Sequence, residues 1–326
     1  TSWLAQADSM ALQQSIRDLD RAYKNFFRRV REGGKPGFPK FKSRRHARQS
    51  YRTNGGKVVD RNHIALPKLG NVRAKVSRPL QGRFMSVTVS LDAAGRYFAT
   101  FLCTDVPSKD APATDREVGI DLGVETLATL SDGTKIENPR GLKRYERKLA
   151  REQRRLSRRK GARKSEKQSR RYLKQRKRVA RIHAKIADAR TDALHKVTTM
   201  LADENQVLCM EDLNAKGMMK NHHLAKAVTD ASFGEFARLL EYKCAERGRS
   251  LVKIGRFYPS SKTCSACGHR LDALPLSVRS WDCPSCGVHH DRDVNAARNI
   301  LTEGKRILSN TEGTAGHAGT VAATTA

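Results

Sequence analysis

Residues 264–300 read CSACGHRLDALPLSVRSWDCPSCGVHHDRDVNAARNI. This stretch contains two Cys-x-x-Cys pairs, Cys264 with Cys267 and Cys283 with Cys286, which are fifteen residues apart and are each followed by glycine. Four thiolates on two tight turns make a closed tetrahedral shell for a borderline ion such as Zn²⁺. Iron in the same shell and a pair of disulfides are the alternatives. Because a closed shell leaves no open position, we expect a structural zinc site.

The whole chain is strongly basic. Its 326 residues include 64 Lys and Arg against 33 Asp and Glu, which gives a net charge of +31 and a pI near 10.4. Clustered cations release counterions from phosphates, so a nucleic acid is the expected partner and a membrane surface the weaker alternative. The sequence has no run of 18 apolar residues and no signal peptide. We therefore expect no membrane partner and a cytoplasmic protein that joins the nucleoid when it binds DNA.

Three acids stand at the edges of apolar segments. Asp121 interrupts the β-rich segment 118–130, Glu211 ends the apolar strand that starts at 206, and Asp293 opens an apparent helix behind the second Cys pair. Each acid alone has an ordinary explanation, as a strand end, a turn residue or a helix N-terminal charge. Together they predict converging carboxylates, whose hard oxygen atoms suit two Mg²⁺ ions and phosphodiester hydrolysis.

Residues 140–190 differ from the rest of the chain because they are rich in Lys and Arg and poor in acids. A sparse apolar stripe predicts a first helix, Gly161 interrupts it, and a second helix is expected from about 166 to 202. We expect this basic helical hairpin to contact the backbone of a nucleic-acid duplex. A solvated surface without a partner is the alternative.

Other segments show clear periodicity. Apolar residues recur at helical spacing over 9–31 and again over 231–247. Residues 84–91 and 96–103 alternate as the two strands of a hairpin, and residues 251–257 predict a strand that leads to the first Cys pair.

Polar residues flank the Cys pairs. We expect three histidines to lie at the surface or against phosphate, namely His269, His289 and His290. Five residues precede the first pair, and for them phosphate contact and simple packing beside a strand are equally open: Arg256, Tyr258, Ser260, Ser261 and Lys262.

Four segments closely resemble the TnpB (OrfB) proteins of bacterial insertion sequences, which are similar to compact type V CRISPR nucleases. These segments are VGIDLGVETLATLSDG at 118–133, VLCMEDLNAKGM at 207–218, RFYPSSKTCSACG at 256–268, and CPSCGVHHDRDVNAARNI at 283–300. The resemblance implies a RuvC-type nuclease of RNase H-like fold, with its three acidic motifs on Asp121, Glu211 and Asp293. Asp291 is the alternative for the third motif.

The resemblance also implies a domain plan, in which an α/β nuclease belongs to a chain that is α+β overall. The expected parts are a helical remnant of a recognition region (1–33), a small β-barrel (34–113), the nuclease (114–303) with a basic helical insertion (138–205) and a zinc ribbon (262–288), and a disordered tail (304–326). Relatives usually have a further strand and helices before the segment that begins here at Thr1, so we expect a partial recognition region.

The function that the resemblance implies is that of an RNA-guided DNA endonuclease of a mobile element, a family that also carries the older label of transposase. Its partners would be a guide RNA from the transposon end and a target DNA read mostly by base pairing. Its cofactors would be structural Zn²⁺ and catalytic Mg²⁺. The alternatives are a nucleic-acid-binding regulator that does not cleave, and a strand-transfer transposase that needs no guide.

Overall fold

The computed structural model describes residues 5–40, 49–107, 109, 111–160, 168–275 and 277–312. The chain divides into two compact units, the first formed by residues 1–107 and 159–181 and the second by residues 108–158 and 182–326. The mixed α/β class expected from the sequence is confirmed. None of the helices in these described ranges is both long enough and apolar enough to cross a membrane.

The first unit contains helix α1 (Ser9–Arg31) and two antiparallel sheets of three strands each. One sheet has the order β1 (Gln49–Thr53), β5 (Arg83–Leu91), β6 (Tyr97–Thr104), and the other has the order β2 (Lys57–Val58), β3 (His63–Leu66), β4 (Gly70–Arg73). The centre of its core is formed by Ile64, Leu66 and Val87. The helix over 9–31 and the β5–β6 hairpin were therefore predicted correctly, and closure into a barrel stays a prediction.

Helix α1 packs on its sheet through polar residues. Gln14 is the buried residue of this helix, and Arg52 of β1 donates hydrogen bonds of 2.8 Å to both Gln14 and Asp18. Part of the apolar stripe that predicts the helix is exposed to solvent, with Ile16 68% exposed and Leu19 55% exposed. Periodicity thus located the helix correctly, but it did not identify the face that packs on β1.

The second unit is built on a five-stranded sheet with the order β11-β10-β7-β8-β9. These strands are β7 (Glu117–Leu122), β8 (Thr126–Leu130), β9 (Lys135–Glu137), β10 (Val207–Glu211) and β11 (Ser250–Ile254). β7, β8 and β9 form an antiparallel meander, whereas β10 runs parallel to both β7 and β11. The carboxyl ends of β7, β10 and β11 consequently lie at one edge of the sheet.

Helices cover both faces of this sheet. The helices that follow α1 are α2 (Gly141–Arg158), α3 (Arg170–Glu204), α4 (Ala215–Met218), α5 (His222–Ala231), α6 (Phe233–Glu246) and α7 (Arg292–Glu312). The C-terminal part of α3 packs with α5 and α6 on one face, where Leu208 and Met210 of β10 are buried. α7 packs on the opposite face against Val207 and Cys209. β10 is apolar throughout because it is buried on both sides.

The predicted start of the disordered tail, at residue 304, is wrong. α7 continues to Glu312, so residues 304–312 are helical, and the remainder of that tail lies outside the described residues. The helix persists because Ile307 and Leu308 pack against the core of the sheet. The two predicted basic helices correspond to α2 and α3, and the expected break at Gly161 also lies outside the described residues.

Candidate functional site

Strand direction brings two of the predicted acids to the same edge of the sheet. β7 and β10 are parallel and pair Ile120 with Met210, so Asp121 and Glu211 follow as the next residues of adjacent strands. Both carboxylates therefore stand side by side at the carboxyl ends of these strands. Both residues are half-buried at this edge, whereas Ile120 and Met210 just before them are fully buried.

Helix α7 supplies the third acid, Asp293, in its first turn. The helix approaches the sheet closely at Gly119, where a Cβ atom would lie 2.0 Å from the carbonyl oxygen of Ala297. A second close approach occurs at Gly304, where a Cβ atom would lie 2.3 Å from Sγ of Cys209. These two glycines let α7 lie directly on β7 and β10, and this fixes where its N-terminus delivers Asp293.

The three acids interact electrostatically. Burial, followed by the negative charges of Glu211 and Asp293, raises the pKa of Asp121 to about 7, while Arg292 opposes the shift. Burial also raises the pKa of Glu211, and a hydrogen bond from Ser260 partly offsets that rise. Converging carboxylates that hold a proton near neutral pH are a common mark of a functional site, because like charges cannot all ionise cheaply in a buried place.

Asp291 and Asp293 have different surroundings. Asp291 accepts hydrogen bonds of 3.1 Å from the backbone N–H groups of Asp293 and Val294, and it forms a 2.7 Å ion pair with Lys135. It therefore acts as the N-cap of α7. Asp293 lies 3.9 Å from Arg279 and adds to the negative potential at Asp121. This difference favours Asp293 as the third member of the cluster.

The four cysteines also come together. Among the described residues they are the one group of three or more His, Cys, Asp or Glu whose ligand atoms all lie within 4.8 Å of one another. The sulfur atoms of Cys264 and Cys286 are 3.7 Å apart, and those of Cys267 and Cys283 are 3.6 Å apart. A tetrahedron with Zn–S bonds of about 2.3 Å has sulfur separations of about 3.8 Å. The cluster therefore fits Zn²⁺, and its separations are too long for the disulfide alternative.

Local backbone geometry shapes both cysteine turns. Gly268 and Gly287 have φ angles of 78° and 73°, a region that glycine occupies without steric cost. Their N–H groups donate to the carbonyls of Cys264 and Cys283 over 2.9 and 2.8 Å. Each turn thereby closes under its pair of thiols.

Among the described residues, the three carboxylates are not grouped as closely as the four thiols. Ligands shared between two ions need not lie in one coordination sphere, because paired metal ions in such sites are themselves about 4 Å apart. The donor set is composed of oxygen atoms alone and carries a raised pKa at Asp121. A divalent cation would relieve this crowding of charge, so the residues fit Mg²⁺.

The prediction for one of the histidines is wrong. His290 is only 3% exposed, with Nε2 3.0 Å from Sγ of Cys264 and its ring 4.8 Å from that of Trp281. It is buried because β13 (His289–Asp291) pairs with β12 (Ser280–Asp282) beside the cysteines. His269 and His289 are exposed, as expected, and His289 contacts Asp282 over 2.7 Å.

Ser260 is the residue whose place the sequence did not reveal. Its hydroxyl donates a 2.6 Å hydrogen bond to Oε1 of Glu211, although the two residues are 49 positions apart. Arg256 pairs with Asp212 over 2.7 Å, and Lys262 donates to the carbonyl of Asp272. These contacts favour packing over phosphate contact for this segment. The sequence indicated Ser260 only by its position before the first Cys pair.

Helix α2 is a basic surface. All eight of its Lys and Arg side chains are exposed, while Leu149 and Glu152 are buried. Such a surface could bind the phosphates of a nucleic acid. Contact with a duplex remains a prediction.

Comparison with known proteins gives a consistent result. A family described as a probable transposase (OrfB_IS605) matches residues 101–222, and a Cas12f1-like TNB domain matches residues 233–300. The chain is 44% identical over 307 residues to a Streptomyces pristinaespiralis protein named "Putative RNA-guided DNA endonuclease", covering 93% of this chain and 73% of that protein.

Two further similarities were found. The chain is 36% identical to the Escherichia coli (strain K12) protein "Putative RNA-guided DNA endonuclease InsQ", over 95% of this chain and 78% of that protein. A solved structure described as a Cas12f1-sgRNA-target DNA complex is 17% identical, with a TM-score of 0.48, over 77% of this chain and 59% of that chain.

Proposed function

The chain belongs to the TnpB (OrfB) family of insertion-sequence proteins, and from this premise we propose that it is an RNA-guided, metal-dependent DNA endonuclease. Two curated relatives that it matches are named "Putative RNA-guided DNA endonuclease". The proposal extends the activity to this chain and assigns it to Asp121, Glu211 and Asp293.

One observation carries the proposal, namely the convergence of these three acids. They come from two adjacent parallel strands and the helix that lies on them. Burial, together with the charges of Glu211 and Asp293, raises the pKa of Asp121 to about 7. A protein that only binds nucleic acid gains nothing from acids that would repel phosphate. A hydrolytic site needs them, because carboxylates hold the cations that neutralise the phosphate.

The three carboxylates would hold Mg²⁺. When bound, Mg²⁺ supplies an activated water and stabilises the leaving oxygen in phosphodiester hydrolysis. The chain's own part is to hold the ligands in place: strand pairing fixes Asp121 beside Glu211, and the close packing of α7 at Gly119 fixes Asp293. The N-cap contact of Asp291 keeps the first turn of α7 in place next to Asp293.

The remaining features serve binding and structure. The exposed Lys and Arg side chains of α2 would contact the phosphates of the guide RNA and target DNA, while base pairing would read the target sequence. The cysteine cluster would hold Zn²⁺ in a closed site, with a structural duty. The RuvC-type, RNase H-like description of the nuclease belongs to this proposal and is supported by the mixed sheet with acids at its carboxyl edge.

The test begins with the RNA that co-purifies with the protein, which is sequenced to define the guide. The complex is then given a DNA target matched to that guide, with Mg²⁺, and cleavage is compared between wild type, Asp121→Ala and Asp115→Ala. Asp115 is an exposed acid of the same unit and serves as the matched control. We expect cleavage by wild type and the control, and none by Asp121→Ala.

Other outcomes would favour the alternatives. Guided binding without cleavage at any Mg²⁺ concentration would indicate a regulator. Strand transfer in the absence of any bound RNA would indicate a conventional transposase. Unchanged cleavage by Asp121→Ala would remove that residue from the site.

A further inference from the structure

A short loop connects the cysteine cluster to the acidic edge of the sheet. It follows β11 and comprises residues 259–263, immediately before Cys264. The backbone N–H groups of Lys262 and Thr263 both donate to the carbonyl of Pro259 over 3.2 Å, and the hydroxyl of Thr263 donates to the same carbonyl over 3.0 Å. The loop therefore has a defined turn of its own.

Ser260 lies inside this turn and points toward the acids. It is 7% exposed, and its hydroxyl donates to Oε1 of Glu211 over 2.6 Å. A hydroxyl hydrogen bond to a carboxylate at this distance is short and charge-assisted, so it restricts the rotation of the Glu211 side chain. Among the described residues, no group donates a hydrogen bond to the second oxygen of Glu211, which leaves that oxygen available to a cation.

Two asparagines of α7 hold the loop. Asn299 donates to the carbonyls of Ser260 and Thr263 over 2.8 and 2.6 Å, and Asn295 donates to the carbonyl of Thr263 over 2.7 Å. Asn295 also accepts a 2.9 Å hydrogen bond from the backbone N–H of Ser265, inside the first Cys pair. Asn295 is 1% exposed and Asn299 is 5% exposed, so these hydrogen bonds are shielded from solvent.

The spacing of these residues along α7 is informative. Asn295 and Asn299 are four positions apart and share one face of the helix, whose first turn carries Asp293. The same helix thus delivers one acid of the cluster directly and orients another acid through the loop. Buried polar groups that are hydrogen-bonded in this way favour one arrangement, because a shift would leave several of them without partners.

We propose that Ser260 is a positioning residue for Glu211, and that Asn299 holds Ser260 in place by tying its loop to the helix that carries Asp293. The inference rests on the proposed function, since it concerns the same metal-binding acids. In this arrangement the loop 259–263 connects the first cysteine turn to the edge of the sheet that carries Asp121 and Glu211. It also explains why a loop that leads into a structural metal site is buried against a carboxylate.

The experiment measures metal binding directly, with Mn²⁺ as the probe. Binding to the purified protein–RNA complex is followed by electron paramagnetic resonance, without DNA, for wild type and three variants. Ser260→Ala removes the hydroxyl, Ser260→Thr keeps it, and Ser261→Ala is the neighbouring control. We expect the Mn²⁺ dissociation constant to rise about tenfold in Ser260→Ala, the usual effect of removing a group that orients a metal ligand, and to recover in Ser260→Thr.

A double-variant comparison tests the role of Asn299. If Asn299 acts through Ser260, the single variant Asn299→Ala should weaken Mn²⁺ binding. The double variant should bind Mn²⁺ no more weakly than Ser260→Ala, because both substitutions remove the same interaction with Glu211. Thermal melting of each variant is recorded to separate a loss of folding from a loss of positioning. Additive effects of the two substitutions would remove Asn299 from the proposal.

The remaining outcomes separate this inference from the proposed function. Asp121→Ala is included as a reference and should lose Mn²⁺ binding. If wild type and Asp121→Ala bind Mn²⁺ equally, the proposed metal site itself is wrong. If Asp121→Ala loses binding while Ser260→Ala binds as wild type does, the site stands and the positioning role of Ser260 is wrong.

Discussion

Gly119 of β7 lies so close to Ala297 of α7 that a Cβ atom at position 119 would stand 2.0 Å from the carbonyl oxygen of Ala297. No side chain can be accommodated at that distance without moving the helix. Because Asp293 is four residues before Ala297 on the same helix, this contact sets the distance between Asp293 and the acids of the sheet. The geometry of the proposed active site therefore depends on a glycine that carries no functional group.

Substitution of this glycine should damage both stability and activity. We expect Gly119→Ala to lower the free energy of unfolding by about 1–3 kcal/mol, the usual cost of overpacking, and to reduce guided cleavage. The matched control is Gly234→Ala in α6, where a Cβ atom would meet nothing within 4 Å. That substitution should stabilise the protein by about 0.5–1 kcal/mol, since alanine favours a helix. Equal urea denaturation curves for the two variants would contradict the close packing of α7.

The protonation of Asp121 should make metal-free stability depend on pH. Its pKa in the folded protein is about 7, against about 3.9 in an unfolded chain. The folded state therefore binds more protons between these values, and stability should fall as pH rises from about 4 to 7. In Asp121→Asn this dependence should be reduced, and the variant should be more stable than wild type at pH 8 by roughly 1–4 kcal/mol.

The measurement is urea denaturation in chelator-treated buffer at pH 5 and pH 8. The difference between Asp121→Asn and wild type should be larger at pH 8 than at pH 5. Asp115→Asn, at an exposed position, should show no such difference. A difference in stability that is the same at both pH values would show that folding does not raise the pKa of Asp121.

The two aspartates at the start of α7 should separate in their effects. Asp293→Asn should abolish guided cleavage with little loss of stability, because its carboxylate belongs to the acidic cluster. Asp291→Ala should lower stability by about 0.5–2 kcal/mol through loss of the N-cap, and it should retain part of the cleavage activity. Cleavage rates and melting temperatures of both variants check this assignment. The reverse pattern would make Asp291 the third ligand.

The cysteine cluster should contain one zinc ion per chain. Cys283 is buried in this cluster, and we expect Cys283→Ser to lose most of the bound zinc and to lower the melting temperature, since structural zinc contributes directly to folding. Cys103→Ser is the control, because Cys103 lies in β6 far along the sequence from the cluster. Elemental analysis of the purified proteins gives the zinc content. Iron in place of zinc would identify the alternative ion.

The sequence was sufficient wherever a pattern is local. Apolar runs located β7 and β10, each with its acid at the last or next-to-last position, and the Cys spacing located the metal turns. Family resemblance then selected Asp121, Glu211 and Asp293 from the acids. The structure adds the parallel pairing of β7 with β10, which no local pattern can specify because the two strands are more than 80 residues apart.

The sequence was insufficient wherever a residue's role depends on distant partners. Ser260 is an ordinary polar residue until folding brings it to Glu211. His290 looks exposed beside its neighbour His289, but strand pairing turns it toward Cys264. Gly304 resembles the start of a flexible tail, yet it is the residue that lets α7 approach Cys209. In each case the decisive partner is far away in the sequence.

The most direct test of the central claim is the initial rate at which the chain, loaded with its guide RNA, cuts a labelled DNA target in Mg²⁺. We expect wild type to cut a target that matches the guide and to leave a mismatched target intact. Asp121→Asn should cut the matched target at least about a thousandfold more slowly, because loss of a metal-binding carboxylate removes several kcal/mol of transition-state stabilisation. Equal rates for wild type and Asp121→Asn, or equal cutting of matched and mismatched targets by wild type, would contradict the account.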